Sequence, residues 1–264
     1  MAVSLGKESL LQCFDIDSTI RSVALVGAGG KSSLMYALAR EMVARHEKVV
    51  TTTTTKILPP KSHESPWLIL LEDDPELISL PTHLSEWGHV TVAQSLDHSS
   101  RKLQGASADT IKRCLDVAGR VLIEADGAAG RPIKAPERWE PVIPDFVDLV
   151  IPVVGLDSIG KPATEEWVFR LERFLSITGL GPGEIIKPNV VGRLLSHPEG
   201  ALKGAPRTAR IVPYLNKLDL LKSGADEKET VEAIIAATNA RMRRLVVGKL
   251  KGEVQVYSAL IGRG

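Results

Sequence analysis

The chain has 264 residues, of which 44% are hydrophobic and 25% are charged, and its formal net charge is +1. These values are typical of a globular protein with a large core and exclude a disordered, collagen-like or coiled-coil chain. The charge lacks the basic excess that nucleic-acid binding needs, so we expect no DNA or RNA partner.

Apolar, β-rich runs alternate with helical periodicity along the chain, which is typical of parallel βαβ units. Most of these runs are continuously apolar, so we place them inside a sheet that is covered on both faces. The predicted strands span residues 22–27, 48–53, 67–71, 89–93, 120–125, 148–154, 209–216 and 253–258.

Helical spacing predicts amphipathic helices between several of these strands. One follows Gly30, and another covers residues 111–118 and ends at Gly119. A third opens near Thr164 and closes at Gly179, with Trp167, Leu171, Phe174 and Leu175 on one face, and a fourth spans residues 231–238. The remaining Pro- and Gly-rich stretches, 56–66, 126–146 and 179–208, are predicted to be loop insertions in one domain that spans residues 1–264.

A glycine turn joins the first strand to the first of these helices. Gly27 to Ser32 fit the short phosphate-loop pattern G-x-x-G-K-S, although Leu25 stands where the longer pattern has its first glycine. Such a loop needs inward-pointing amides, a lysine for the β- and γ-phosphates and a hydroxyl for Mg²⁺. We assign the phosphates to the segment that contains Gly27, Ala28, Gly29, Gly30, Lys31, Ser32 and Ser33.

Two further strand ends carry candidate metal ligands. Glu124, Asp126 and Gly127 close an apolar strand and resemble the D-x-x-G element that senses the γ-phosphate and Mg²⁺. Because Mg²⁺ takes one or two carboxylates and keeps several waters, either acid is a candidate ligand. The threonine run 51–55 ends the second strand, and we add Thr53 to the candidate ligands, with Ser32.

The base is predicted to lie near the last strands. Asn216, Lys217 and Asp219 form an N-K-x-D sequence after an apolar strand, where the aspartate of GTPases accepts hydrogen bonds from guanine. Ser258 and Ala259 resemble the last GTPase motif, a strand that ends in Ser-Ala. Together these patterns predict an α/β, three-layer, P-loop NTPase-like fold with a mostly parallel sheet, which binds GTP, or ATP, and Mg²⁺.

The cysteines and the amino-terminal segment indicate the cellular compartment in which we expect the protein. The spacing of Cys13 and Cys114 fits neither a disulfide framework nor a metal-ligand motif. The six histidines show no zinc-binding pattern. Acids interrupt the amino-terminal segment, and no window approaches the ~18 apolar residues of a membrane span. We therefore expect a cytoplasmic protein without a membrane partner, in which Cys114 belongs to the core.

Several stretches together resemble the YqeC-like proteins, which are described as accessory proteins of selenium-dependent molybdenum hydroxylases. The most specific are EADGAAGRPIKAP and HPEGALKG, and the resemblance covers about residues 20–260. It implies a P-loop protein that acts with a molybdenum hydroxylase or its maturation proteins. One departure is the sequence Trp167 to Arg170, where the family pattern has a polar N-x-H-R-like segment.

Three functional hypotheses follow. The leading one is a slow GTPase in which Lys31, Glu124, Asp126 and Arg131 are the catalytic candidates and positioning and charge neutralisation do most of the catalysis. The second is an ATP-dependent ligase or transferase, because such enzymes also use short phosphate loops. The third is an adaptor that binds nucleotide without hydrolysing it.

Overall fold

A computed structural model of the chain describes residues 9–221, 227–238 and 242–261. Its strands are β1 Ser22–Gly27, β2 Val49–Thr53, β3 Leu68–Leu70, β4 His89–Ala93, β5 Leu96–Asp97, β6 Lys102–Leu103, β7 Val121–Glu124, β8 Ile133–Lys134, β9 Leu149–Gly155, β10 Val168–Phe169, β11 Arg210–Ile211, β12 Tyr214–Asn216, β13 Arg244–Lys249 and β14 Gln255–Leu260. Its α-helices are α1 Leu10–Cys13, α2 Lys31–Ala44, α3 Leu80–Trp87, α4 Ala108–Ala118, α5 Leu171–Thr178, α6 Pro188–Ser196 and α7 Glu227–Ala236. Among these residues, no helix has the length and apolar character needed to cross a bilayer.

The main sheet is mostly parallel and has the strand order β14-β13-β12-β9-β1-β7-β2-β4-β3, with β11 also paired to β9. Only β14 runs antiparallel to its neighbour within the described part of this sheet. The two short pairs β8–β10 and β5–β6 lie outside it.

Helices cover both faces of the sheet. On one face α1 and α2 pack against alternate residues of the central strands, such as Leu25 and Ile151. On the other face α3 and α4 pack over one half of the sheet, and α5, α6 and α7 pack over the other half. The fold is therefore the three-layer, mostly parallel, P-loop NTPase-like α/β arrangement that the sequence predicts, and Cys114 is buried in its core as expected.

Two strand predictions differ from the structure. The predicted strand 209–216 is divided into β11 and β12, because Pro213 has no N–H to donate to the neighbouring strand. Strand β13 was not predicted, although it lies between β12 and β14 and is largely buried.

Two helix predictions also need correction. The helix predicted from Thr164 begins at Leu171 instead, because residues 168–169 form β10 and pair with β8. Trp167 therefore lies before the helix, with the Lys161 Nζ 4.2 Å from its ring centroid. Helix α6 lies within the stretch 179–208, which was predicted to be a loop, and buries Val190, Val191 and Leu194.

Candidate functional site

A cleft of about 960 Å³ opens at the carboxyl ends of the central strands. Strand register brings these ends together: Leu25 and Thr53 both pair with Glu124, and Gly27 pairs with Val153. Ligands of open α/β sheets bind at this edge. The cleft is lined by the glycine turn, by segments that follow β2 and β7, and by residues 139–142 and 169–170.

The glycine turn takes a conformation that glycine alone adopts easily. Gly27, Gly29 and Gly30 have φ of +90°, +89° and +127°. A Cβ at Gly27 would lie 2.5 Å from the Val153 oxygen, and one at Gly29 would lie 2.7 Å from the Pro132 oxygen. Both the conformation and the lack of space require glycine, so the motif's glycines have a structural reason beyond sequence likeness.

Helix α2 presents its amino terminus to the cleft. Gly30 is its N-cap residue and supplies no side-chain cap. The first amides of a helix have no acceptor within the helix, and the helix dipole places partial positive charge at this end. The turn and the helix start therefore have the features that suit an anion.

Lys31 lies buried between two carboxylates. Its Nζ donates to the Gly27 oxygen at 2.6 Å and stands 3.2 Å from Asp126 Oδ1 and 3.6 Å from Glu124 Oε1. Burial lowers the pKa of Lys31, but Asp126 and Glu124 outweigh this effect and raise the pKa above its usual value. The ammonium group therefore stays charged at neutral pH beside the turn.

Glu124 and Ser32 are joined directly. The Ser32 hydroxyl donates to Glu124 Oε2 at 2.6 Å. Burial raises the pKa of Glu124, although Lys31 and the Ser32 hydroxyl oppose this shift. A hydroxyl and a carboxylate this close could both face one hard cation, which prefers oxygen ligands.

Thr53 and Asp126 flank this pair. The Thr53 hydroxyl is buried and donates to the Glu124 carbonyl at 2.9 Å and to the Thr55 carbonyl at 3.1 Å, so it already serves the backbone. Asp126 Oδ2 accepts from the Gly27 amide at 3.0 Å. Among the described residues, Asp126 Oδ1 has the ion pair with Lys31 but no well-aligned hydrogen bond.

The N-K-x-D sequence lies at the same edge of the sheet. The Asn216 Nδ2 donates to the Gly29 oxygen at 2.8 Å, which fastens the end of β12 to the glycine turn. Lys217 lines the cleft and pairs with Asp157 at 2.7 Å. Asp219 lies exposed in the 3-10 turn Leu218–Leu220, outside the cleft lining.

The structure does not bring Ser258 and Ala259 to this edge. They lie within β14 rather than at a strand end facing the cleft, and they pair with Val246 and Leu245. Because β14 is antiparallel, its carboxyl end points to the opposite edge of the sheet. The expected placement of these two residues near a base is therefore wrong, because the strand direction is reversed.

Residues 126–170 supply a second set of charges. The Lys134 Nζ donates to the Gly127 oxygen at 2.7 Å and to Glu140 Oε2 at 2.8 Å, and pairs with Asp126 at 3.1 Å. Arg131, a candidate catalytic residue, lines the cleft and donates from Nε to the Glu165 oxygen at 2.7 Å. Six basic and three acidic residues line the cleft, although Lys56 and Lys217 pair with Asp97 and Asp157 beyond the lining, so the excess of positive charge is modest.

Sequence reasoning missed Glu140, Trp139 and Arg170 as cleft residues. Trp139 and Glu140 lie in a predicted loop, and Arg170 was placed inside a helix. A usable signal was present, since a long loop that follows the carboxyl end of a strand is a candidate site wall.

Comparison with known proteins identifies the family of the chain. The family model described as "YqeC protein" matches residues 23–172, which contain the glycine turn, Glu124, Asp126 and Arg170 but not Asn216. A protein of Escherichia coli (strain K12), described as "Uncharacterized protein YqeC", is 33% identical over 220 residues, which cover 80% of this chain and 82% of the relative. The chain therefore belongs to the YqeC family.

Proposed function

We propose that the protein binds GTP with Mg²⁺ at the glycine turn and hydrolyses it slowly, as an accessory factor in maturation of a molybdenum hydroxylase. The observation that carries the proposal is the contact between Ser32 and Glu124 at 2.6 Å, directly beside a glycine turn that only glycine can form. The pathway rests on the resemblance to the YqeC-like accessory proteins and not on the geometry of the site.

The phosphates are assigned to the turn and the start of α2. Lys31 supplies a fixed positive charge, and the amides that follow Ala28 supply donors that require no side-chain ordering. The Gly27 and Ala28 amides already donate to Asp126 and to the Val153 carbonyl. Displacement of the Lys31 Nζ from one of its partners would let it reach a phosphate oxygen.

Magnesium is assigned to Ser32 and Glu124, with Asp126 acting through water. Among the described residues, no group of three or more His, Cys, Asp or Glu side chains is arranged to hold a metal unaided. Mg²⁺ suits such a sparse site, because it keeps several waters and takes its remaining ligands from phosphates. Thr53 stays a weaker candidate ligand, since its hydroxyl already bonds to two carbonyls.

Guanine selection is assigned to Asp219. The bond from Asn216 to Gly29 supports this, because it holds the N-K-x-D segment against the phosphate turn. Slow turnover follows from the cleft lining, in which the described residues include no glutamine or histidine to orient water. Arg131 is the candidate for stabilising charge in the transition state.

One observation favours the ligase or transferase alternative. The cleft continues beyond the turn to Trp139 and Arg170, which leaves room for a second substrate. ATP preference in the unmodified protein would favour this alternative over the GTPase.

Calorimetric titration with non-hydrolysable GTP and ATP analogues, with and without Mg²⁺, tests the proposal. We expect the GTP analogue to bind more tightly than the ATP analogue, and Mg²⁺ to strengthen binding at least tenfold, about 1.4 kcal/mol. Ser32→Ala should abolish most of this Mg²⁺ effect, because it removes the hydroxyl that faces Glu124.

Ser33→Ala is the matched control. Ser33 also belongs to the phosphate segment and lines the cleft, but its side chain is exposed and the variant keeps the backbone amide, so the Mg²⁺ effect should be retained within about twofold. Failure of both nucleotides to bind, or an equal loss in the two variants, would contradict the proposed site.

A further inference from the structure

Part of the cleft lies beyond the phosphate turn and is not used by the proposed nucleotide contacts. We call it the Arg170 wall and define it as Trp139, Phe169 and Arg170, all of which line the cleft. Trp139 comes from the segment after β8, and Phe169 and Arg170 come from the end of β10 and the residue that follows it.

Arg170 is held in an unusual and incompletely paired state. Its backbone lies in the left-handed region, with φ of +64°, which is uncommon for a residue with a long side chain. Its Nε is buried and has no hydrogen-bond partner among the described residues. Its nearest acid is Glu140, at 3.7 Å, and that carboxylate is already bonded to Lys134.

Aromatic rings hold the Arg170 guanidinium in place. Its central carbon lies 4.7 Å from the Phe169 ring centroid and 5.9 Å from that of Trp139. A guanidinium that is fixed in this way and lacks a full set of acceptors is suited to bind a carboxylate or phosphate.

The rim beside it is apolar and open. Trp139 is 67% exposed, Leu58 is 68% exposed and Val142 is 53% exposed, and all three line the cleft. A flat exposed indole beside a cation is typical of a surface that stacks on a planar ring.

Alternating charges connect this wall to the turn. Lys31 pairs with Asp126, Asp126 with Lys134, Lys134 with Glu140, and Glu140 with Arg170. The wall and the turn therefore belong to one continuous electrostatic unit. A triphosphate that used Lys31 would leave Arg170 available for a different anion.

We infer that the Arg170 wall binds a second small molecule, an organic anion whose carboxylate or phosphate contacts Arg170 and whose planar apolar ring stacks on Trp139. The identification of this molecule as a co-substrate rests on the proposed nucleotide function. The binding of this molecule to the wall does not rest on that function, because the wall has its own cation and its own apolar surface.

Ligand-observed NMR titration tests the inference with three probes: 2-naphthoate, 2-naphthyl phosphate and the neutral 2-naphthalenemethanol. The full-length protein is titrated alone and with a saturating GTP analogue and Mg²⁺. We expect at least one anionic probe to bind at least tenfold more tightly than the alcohol in both conditions, and the better of the two identifies the preferred anion.

Substitutions in the wall test whether the probes bind there. Arg170→Gln should reduce anion binding at least tenfold, to the level of the alcohol, and Trp139→Leu should weaken all three probes. Arg113→Gln and Trp87→Leu alter exposed residues outside the cleft lining and should leave binding unchanged.

Several results would overturn the inference: no binding of any probe, equal binding of anions and alcohol, no effect of Arg170→Gln, or displacement of the probe by nucleotide. If the nucleotide analogue fails to bind, the proposed function fails alone. The titration without nucleotide still decides whether the wall binds anions.

Discussion

Gly29 is the residue of the turn whose replacement the structure constrains most strongly. An added Cβ would lie 2.6 Å from the Gly155 Cα and 2.7 Å from the Pro132 oxygen, and φ is +89°. Because both neighbours are backbone, neither can move away as a flexible side chain would. We expect Gly29→Ala to lower the free energy of unfolding by about 2 kcal/mol or more and to weaken nucleotide binding.

Gly127→Ala is the control for this prediction. A Cβ at Gly127 meets nothing within 4 Å, and its φ lies outside the left-handed region. Urea unfolding should show a change within about 0.5 kcal/mol. Equal destabilisation in the two variants would show that the turn does not have the close packing described.

The proposed function assigns the choice between guanine and other bases to Asp219. Asp219→Asn replaces an acceptor with a side chain that also donates, which should weaken GTP binding and strengthen binding of xanthosine triphosphate. Competition titration of the two nucleotides measures the change. If the variant keeps the same preference for GTP over xanthosine triphosphate, Asp219 does not recognise the base. The exposed position of Asp219 outside the cleft lining would then explain that result.

At the scale of elements, β2 and β4 share a buried polar ladder. The Thr51 hydroxyl lies 2.9 Å from His89 Nε2 and 2.7 Å from the Thr91 hydroxyl. Burial, with a smaller contribution from Arg40, lowers the pKa of His89 from 6.5 to about 4. The folded protein therefore holds this histidine neutral.

This shift predicts a loss of stability in acid. Because the folded pKa is below the unfolded one, the contribution of neutral His89 is fully present above pH 6.5 and is lost as the pH falls through about 4. The loss amounts to about 3 kcal/mol. Urea unfolding between pH 7 and 4 should show a smaller acid loss in His89→Gln, whereas His63→Gln, at an exposed position, should behave like the unmodified protein. Parallel pH curves for all three proteins would show that His89 titrates normally.

The predictions from the sequence succeeded where residues that are close together in the chain determine the structure. Continuous apolar runs located the core strands β1, β7 and β9, because a strand buried on both faces is mostly apolar. Strands β2 and β4 are also buried, but they combine valines with the threonine and histidine side chains of the polar ladder. The glycine turn with Lys31 and Ser32, and Glu124 at the end of β7, were also found from local sequence. Their spacing is short and their residue types are specific.

The elements that escaped prediction depend on distant partners. Strand β10 exists because residues 168–169 pair with β8, and this contact overrides the helical spacing that begins near Thr164. The direction of β14 is set by its pairing with β13 and is not written in its own residues. The Arg170 wall was missed because its members lie in two separate segments that only the fold brings together.

For the whole molecule, three of the seven described non-glycine residues with positive φ lie in the cleft lining. Ala129, Arg170 and Lys217 line the cleft with positive φ, although none is glycine. Strained backbone of this kind persists where the surrounding structure fixes it, and it is common at functional sites. The same cleft has an excess of basic residues in a chain whose net charge is only +1.

In the proposed function, the turn from Gly27 to Ser32 holds the phosphates of a nucleotide. A crystal structure of the protein with a saturating non-hydrolysable GTP analogue and Mg²⁺ is the decisive measurement. We expect phosphate oxygens at the amides that follow Ala28 and at Lys31 Nζ, with Mg²⁺ beside the Ser32 hydroxyl and Glu124. A nucleotide bound elsewhere, or a turn that stays empty in the presence of saturating analogue, would contradict it.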